Sequence, residues 1–158
     1  MAVHNGPSLI ESSRMRFYVT DAPTDDNLPT YLKAIQGERI DAWVRCCEEC
    51  TYTESAVTSL GISIHDLSFP DGEAPPQELI ERWLALCFKQ PVTIVVHCVA
   101  GLGRAPLLVA IALIESGMDA MDAVEYIRKR RRGAINRLQL QYLQEYKPVR
   151  RKNGCAVM

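Results

Sequence analysis

Val92 to His97 reads VTIVVH and runs directly into Cys98-Val-Ala-Gly-Leu-Gly-Arg104. Apolar or β-branched residues stand at nearly every position of the first stretch, so neither face of the strand it predicts can meet water. Such a strand belongs at the centre of a mostly parallel sheet with helices on both faces. Beyond the loop, Ala105 to Glu115 has no charge until its last residue. That predicts a buried helix, ended by Gly117 and packed on the sheet. Strand, loop and helix together require an α/β architecture, and the rest of the chain has to fit around them.

The remaining segments alternate as this architecture demands. Arg16 to Thr20 (RFYVT) has strand composition and leads into a turn of Asp, Pro and Thr. Leu28, Tyr31, Leu32 and Ile35 have helical spacing, with Asn27 as cap and Gly37 as stop. Ile40 to Cys47 and Ile62 to Leu67 read as strands, and a proline-rich loop, Ser68 to Pro76, precedes a helix over Gln77 to Phe88. Helices over Asp119 to Arg132 and Leu138 to Tyr146 follow, the second stopped by Pro148. At 158 residues the length suits one domain, placed at 1–147, with a basic tail at 148–158.

No apolar run approaches the roughly 18 residues of a membrane span. The N-terminus lacks a signal-peptide pattern, so the six cysteines are expected as cytosolic thiols. The net charge of −1 hides two unlike parts: Arg128 to Lys152 carries +9 and the remainder −10. Arg128, Lys129, Arg130, Arg131 and Arg132 are either a face for an acidic partner or membrane, or a solvated helix end that complements the dipole. No nucleic-acid motif accompanies them, and no nucleic acid is expected.

In open α/β sheets, ligands collect beyond the C-terminal ends of the strands. Two glycines let the loop curl until successive backbone N–H groups turn inward, and the next helix adds its positive end. Val99, Ala100, Gly101, Leu102 and Gly103 then cradle an oxyanion such as phosphate, and Arg104 offers a planar fork to two of its oxygens. The same surroundings favour the thiolate of Cys98, which is the nucleophilic form. The pattern fits phosphoryl transfer through a cysteinyl-phosphate.

His97-Cys98-Val-Ala-Gly101-Leu-Gly103-Arg104 resembles the His-Cys-x5-Arg loop of the protein tyrosine phosphatase superfamily. VHCVAGLGRAP, the downstream IALIESGMDAMDAVEYIRKRRRGAIN and the terminal CAVM resemble the phosphatases of regenerating liver, small prenylated members of the dual-specificity group. The resemblance implies that Cys98 is the nucleophile and Arg104 the phosphate clamp. It makes Asp71 the general acid, protonating the leaving oxygen and then activating water. Relatives read Trp-Pro-Phe-Asp-Asp-Gly where this chain has Leu67-Ser-Phe-Pro-Asp71-Gly72, so the tryptophan is absent and Pro70 replaces the first acid. Ala105 stands where most of the superfamily has a hydroxyl that helps the thiolate leave, which implies slow turnover. His97 is expected to order the loop, and His65 to be structural.

The resemblance also implies a reversible disulfide between Cys98 and a cysteine after the second strand. Cys47 fits best, with Cys46 and Cys50 left open. Those three do not complete the four ligands of a structural zinc site, and no metal or cofactor is expected. Uncharged Val99, Ala100 and Leu102 lend no support to an inositide substrate, so a phosphorylated protein is expected. The alternative is a phosphatase-fold binding module for a membrane partner, such as a cyclin-M-type magnesium transport mediator. Cys155-Ala-Val-Met158 has the form of a prenylation box favouring farnesyl, preceded by Lys147, Arg150, Arg151 and Lys152. Lipid and cations together imply the cytoplasmic face of plasma or endosomal membranes, with a cytosolic pool. A homotrimer at the membrane is implied as well.

Overall fold

The computed structural model describes residues 6–150. Cys155 and its prenylation box lie outside the described residues. The elements are β1 (Ser8–Ser12), β2 (Met15–Thr20), α1 (Leu28–Ala34), β3 (Ala42–Arg45), α2 (Ser55–Thr58), β4 (Ser63–Asp66), α3 (Gln77–Cys87), β5 (Val92–His97), α4 (Arg104–Glu115), α5 (Ala120–Arg130) and α6 (Arg137–Glu145). The strands form one sheet in the order β1-β2-β5-β3-β4, with β1 antiparallel and the other neighbours parallel.

VTIVVH is the central strand. Ile94 faces Phe17 of β2 on one side and Ala42 of β3 on the other, and Val96 faces Val19 and Val44. These side chains enter the larger core, which holds Trp83 and the apolar residues of α4. The opposite face, through Val95, Trp43 and Tyr18, joins a smaller core with Leu28, Tyr52 and Val57. Each face of β5 is thus covered by its own cluster. Every residue of α4 is buried. Trp83 is fully buried, donates Nε1–H to the Leu108 carbonyl at 2.7 Å, and lies 5.7 Å from the Phe17 ring. It thereby ties α3 to α4 and both to the sheet.

Three local features depart from the sequence reading. Ser8–Ser12 forms an edge strand, pairing Ile10 with Phe17, although its flanking serines and short apolar alternation give little strand signal. The strand read over 40–47 is regular only at Ala42–Arg45. Cys46 still gives its N–H to the His97 carbonyl at 2.8 Å before the chain turns away. The single turn α2 lies in a stretch to which the sequence reading assigns no element.

The segment from Tyr146 to Arg150 is held about 17 Å along α4 from Arg104, at 1.5 Å per residue. There the buried Glu115 carboxylate accepts from Tyr146 Oη at 2.7 Å and from the backbone N–H groups of Val149 and Arg150 at 2.7 and 3.0 Å. Among the described residues, no helix is long and apolar enough to cross a membrane. Trp83→Ala is expected to cost about 3–5 kcal/mol in urea unfolding, because it empties the contact between α3, α4 and β2. A loss below about 1 kcal/mol would place the weight of the core elsewhere.

Candidate active site

The loop between β5 and α4 is shaped from outside. The Val99 carbonyl accepts from Ala22 N–H at 3.0 Å, and the Leu102 carbonyl from Ile135 N–H at 2.8 Å. The Gly101 carbonyl accepts from Arg131 Nε at 2.6 Å. A planar trans peptide points its N–H opposite to its carbonyl. Pinning these three carbonyls outward therefore turns the N–H groups of Ala100, Leu102 and Gly103 toward the inside of the loop, an anion-binding concavity. Gly101 is the residue that permits the curl: its φ is 72°, and a Cβ there would lie 2.5 Å from Arg131 Nη2 and 2.7 Å from the Thr20 carbonyl. Ile135 itself has a φ of 66°. That conformation costs a β-branched residue about 1–3 kcal/mol, and it aims the Ile135 N–H at Leu102.

Cys98 lies at the floor, 3% exposed, and its Sγ accepts the Ala105 N–H at 3.4 Å at the start of α4. Arg104 returns at the rim. Its guanidinium is buried and donates to Glu48 Oε1 at 2.9 Å and to the Phe69 carbonyl at 3.0 Å. Asp71, on the exposed loop after β4, brings Oδ1 to 3.9 Å from Arg104 Nε. The three residues singled out as catalytic thus converge from two segments, the loop between β5 and α4 and the loop after β4. Glu48 was missed as a site residue. Its own backbone N–H and then Arg104 hold its carboxyl below the usual range. An acid one residue after two cysteines carries no sequence signal for this role.

Arg131 changes the reading of the basic run. It is 4% exposed and, besides Gly101, its Nη1 binds the Gly6 carbonyl at 2.8 Å and Ser8 Oγ at 2.9 Å. Arg128 is turned to the Ala134 and Ile135 carbonyls at 3.0 and 2.6 Å, and Arg130 stacks on Tyr126 at 3.8 Å. Arg131 is therefore a bracket for the loop rather than a member of a solvated face, whereas Arg128 is exposed and ties only its own helix to the segment at Ala134 and Ile135. Cys46, Cys47, Cys50, Cys87 and Cys98 are free thiols. Burial pushes the Cys46 and Cys47 thiols up, and each also senses the charge of Cys98.

Comparison with known proteins bears on the same residues. A family profile described as "Polymorphic toxin system, DSP-PTPase phosphatase" matches residues 15–118. A probable protein tyrosine phosphatase type IVA A of Dictyostelium discoideum is 48% identical across 99% of this chain and 96% of its own length. Protein tyrosine phosphatase type IVA 3 of Homo sapiens is 43% identical across the full length of both. The chain belongs to the type IVA protein tyrosine phosphatases, the phosphatases of regenerating liver. A solved structure of a putative protein tyrosine phosphatase from Leishmania major, at 39% identity, superposes with a TM-score of 0.79 over 89% of this chain and 98% of its own. The α/β dual-specificity phosphatase fold read from the sequence is the fold observed.

In this type IVA phosphatase His97, the last residue of β5, is fully buried and its Nε2 lies 2.7 Å from Tyr52 Oη. Burial holds its imidazole down to about 4, with Arg45 acting in the same direction and the Cys98 carbonyl and Asp21 opposing. An unfolded histidine takes up its proton near 6.5, this one only near 4. Between those values acid favours the unfolded chain, by about 3 kcal/mol across the window. His65, lowered chiefly by partial burial, adds in the same direction. Unfolding free energy is expected to fall as pH drops from about 6.5 to about 4, and His97→Asn is expected to flatten that fall. Equal slopes for the two proteins in denaturant titrations would contradict it.

Proposed function

We propose that this enzyme dephosphorylates proteins through a phosphate bound to Cys98. The Cys98 thiolate attacks phosphorus, an S–P bond forms, and the ester P–O bond breaks. Asp71 gives its proton to the leaving tyrosine, serine or threonine oxygen. Asp71 then takes a proton from water, whose oxygen attacks phosphorus, releasing phosphate and the thiolate. Arg104 and the inward N–H groups hold the three equatorial oxygens throughout. The observation that carries this reading is the convergence of Cys98 Sγ, the Arg104 guanidinium and the Asp71 carboxylate at one loop whose Val99, Gly101 and Leu102 carbonyls are turned away. Ala105 is buried beside Sγ and offers it only a backbone N–H, so the thiolate leaves phosphorus slowly.

That slow step also favours a second use of the same face, as a binding module for a membrane partner of the cyclin-M type. Redox control follows from the thiols. Peroxide oxidises the Cys98 thiolate to a sulfenic acid, and Cys47 displaces water from it to give a disulfide. Cys47 is the partner the resemblance to the family favours; Cys46 beside it lies within the same fields of Arg104 and Cys98. Cys47 and Cys50 each give S–H to a backbone carbonyl, of Glu49 at 3.4 Å and of Tyr52 at 3.2 Å. For location, farnesyl on Cys155 together with Lys147, Arg150, Arg151 and Lys152 is proposed to hold the enzyme to anionic membranes, where it forms trimers.

Steady-state assays on a phosphopeptide test the chemistry. Cys98→Ser is expected to abolish turnover and Asp71→Asn to lower kcat about a hundredfold. Ala105→Ser is expected to raise kcat several-fold, and an unchanged rate would remove the proposed cause of slow turnover. Cys155→Ser is expected to move the protein from the membrane pellet to the supernatant of fractionated cells, whereas continued pelleting would place the anchor elsewhere.

A further inference from the structure

Cys47-Glu48-Glu49-Cys50 is a Cys-x-x-Cys sequence on the strand next to the catalytic thiol. Cys46 gives its N–H to the His97 carbonyl at 2.8 Å, so the chain leaves β3 beside the start of the catalytic loop. It then bends at each of residues 47–49. The bend lays Cys47 Sγ 3.4 Å from the Glu49 carbonyl oxygen, which belongs to the peptide that joins Glu49 to Cys50. Peptide dimensions then put that sulfur within about 6 Å of the Cys50 Cα. Bridging the two sulfurs therefore asks for side-chain rotation and a local adjustment of the bend, not for movement of a strand. Both S–H groups are held only by carbonyls, and S–H is a weak donor. Arg45 Nη1 holds the Cys47 and Glu48 carbonyls, which keeps the base of the bend in place while the sulfurs turn.

We propose that Cys50 is a resolving thiol, which attacks a Cys47–Cys98 disulfide at Cys47 and returns the catalytic cysteine as a free thiolate. The proposal rests on the reading that peroxide oxidation joins Cys98 to Cys47. Cys50 gives its proton to solvent, and its Sγ forms a bond to Cys47 Sγ. The bond between Cys47 and Cys98 breaks, and its electron pair leaves on Cys98 Sγ. The exchange takes up no oxidant and no reductant, because peroxide has already removed the two electrons and been reduced to water. The products are a Cys47–Cys50 disulfide and a reduced Cys98.

The direction of the exchange follows from where the thiols sit. Of the five described cysteines Cys50 alone is not buried, so it meets the water that takes its proton. Cys98 is the better leaving group of the oxidised pair. Its Sγ accepts the Ala105 N–H and faces the inward N–H groups of the loop, whereas burial pushes the Cys47 thiol up. Thiol–disulfide exchange runs fastest when the departing sulfur carries the more stable anion, and stabilising that anion also makes its disulfide the more oxidising one. The oxidising equivalent therefore passes from the Cys47–Cys98 pair to the Cys47–Cys50 pair. Cys46 is no substitute for Cys50: it is fully buried, and burial, then the charges of Cys98 and Cys47, push its thiol well above the usual range.

The test is a pulse of hydrogen peroxide on the full chain, ended with catalase and followed over time without added reductant. Phosphopeptide turnover and non-reducing peptide mapping are read on the same samples. The wild-type protein is expected to show the Cys47–Cys98 disulfide first and the Cys47–Cys50 disulfide later, with turnover returning as the second replaces the first. Cys50→Ser should turn over normally before the pulse and then keep Cys47–Cys98. Its activity should return at least about tenfold more slowly than that of wild type until dithiothreitol is added. Wild-type protein that comes to rest at Cys47–Cys98 would overturn the proposal even if the variant folded poorly. So would a Cys50→Ser protein that recovers as fast as wild type. A Cys98 sulfinic acid with no cross-link, or a Cys46–Cys98 disulfide, in both proteins would instead overturn the Cys47–Cys98 reading, and the relay with it. The mapped species tells the two failures apart.

Discussion

A planar peptide cannot point its carbonyl and its N–H the same way, and the site depends on that constraint. The loop from Cys98 to Arg104 has no charged side chain before its last residue. Its attraction for an anion comes from backbone dipoles and from the start of α4. Each dipole is aimed by a group on a different segment: Ala22 after β2, Arg131 at the end of α5, and Ile135 before α6. The sheet order places the first near β5, and packing of α5 and α6 against α4 brings the other two. Loss of any one bracket would free a carbonyl to rotate inward and replace an attractive dipole with a repulsive one.

The charges divide in the same way. Arg104 is buried with Glu48 and Asp71 as its carboxylate neighbours, so the cation stands at the rim with two acids on the side from which a substrate enters. Arg131 is buried behind the loop and spends its donors on carbonyls and a hydroxyl. The first cation is placed for an exchange of partners, while the second is held in a fixed frame. Far along α4, Glu115 holds the backbone of Val149 and Arg150, and Arg150 stacks on Phe88 at 3.6 Å. The start of the basic tail is thus separated from the site by the length of that helix.

What the chain order reveals depends on how local the cause is. VTIVVH, the two loop glycines and the all-apolar helix are local signals, and they place β5, the cradle and α4 where the structure has them. Cys98, Arg104 and Asp71, read as site residues from the sequence, the last through the resemblance of its loop to that of relatives, stand together in the structure. Glu48, Arg131, Ile135 and Tyr52 were not legible. Each acts through a partner distant in sequence: Arg131 lies 30 residues from Gly101, and Tyr52 lies 45 from His97. Arg131 was also disguised by its neighbours, because a run of five basic residues reads as one surface when one member is buried. Ser8–Ser12 escaped notice for the same reason, since its strand character lies in the pairing of Ile10 with Phe17 rather than in its composition.

The most direct test of the account is to stop the reaction in acid during turnover of a phosphopeptide and locate the phosphate on the protein by intact mass and peptide mapping. The account predicts a large fraction of the enzyme carrying one phosphoryl group on Cys98, because the thiolate is a reluctant leaving group beside Ala105. The phosphorylated fraction should fall in Ala105→Ser as hydrolysis speeds up. Turnover without any phosphoryl enzyme, or phosphate mapped to a residue other than Cys98, would contradict it.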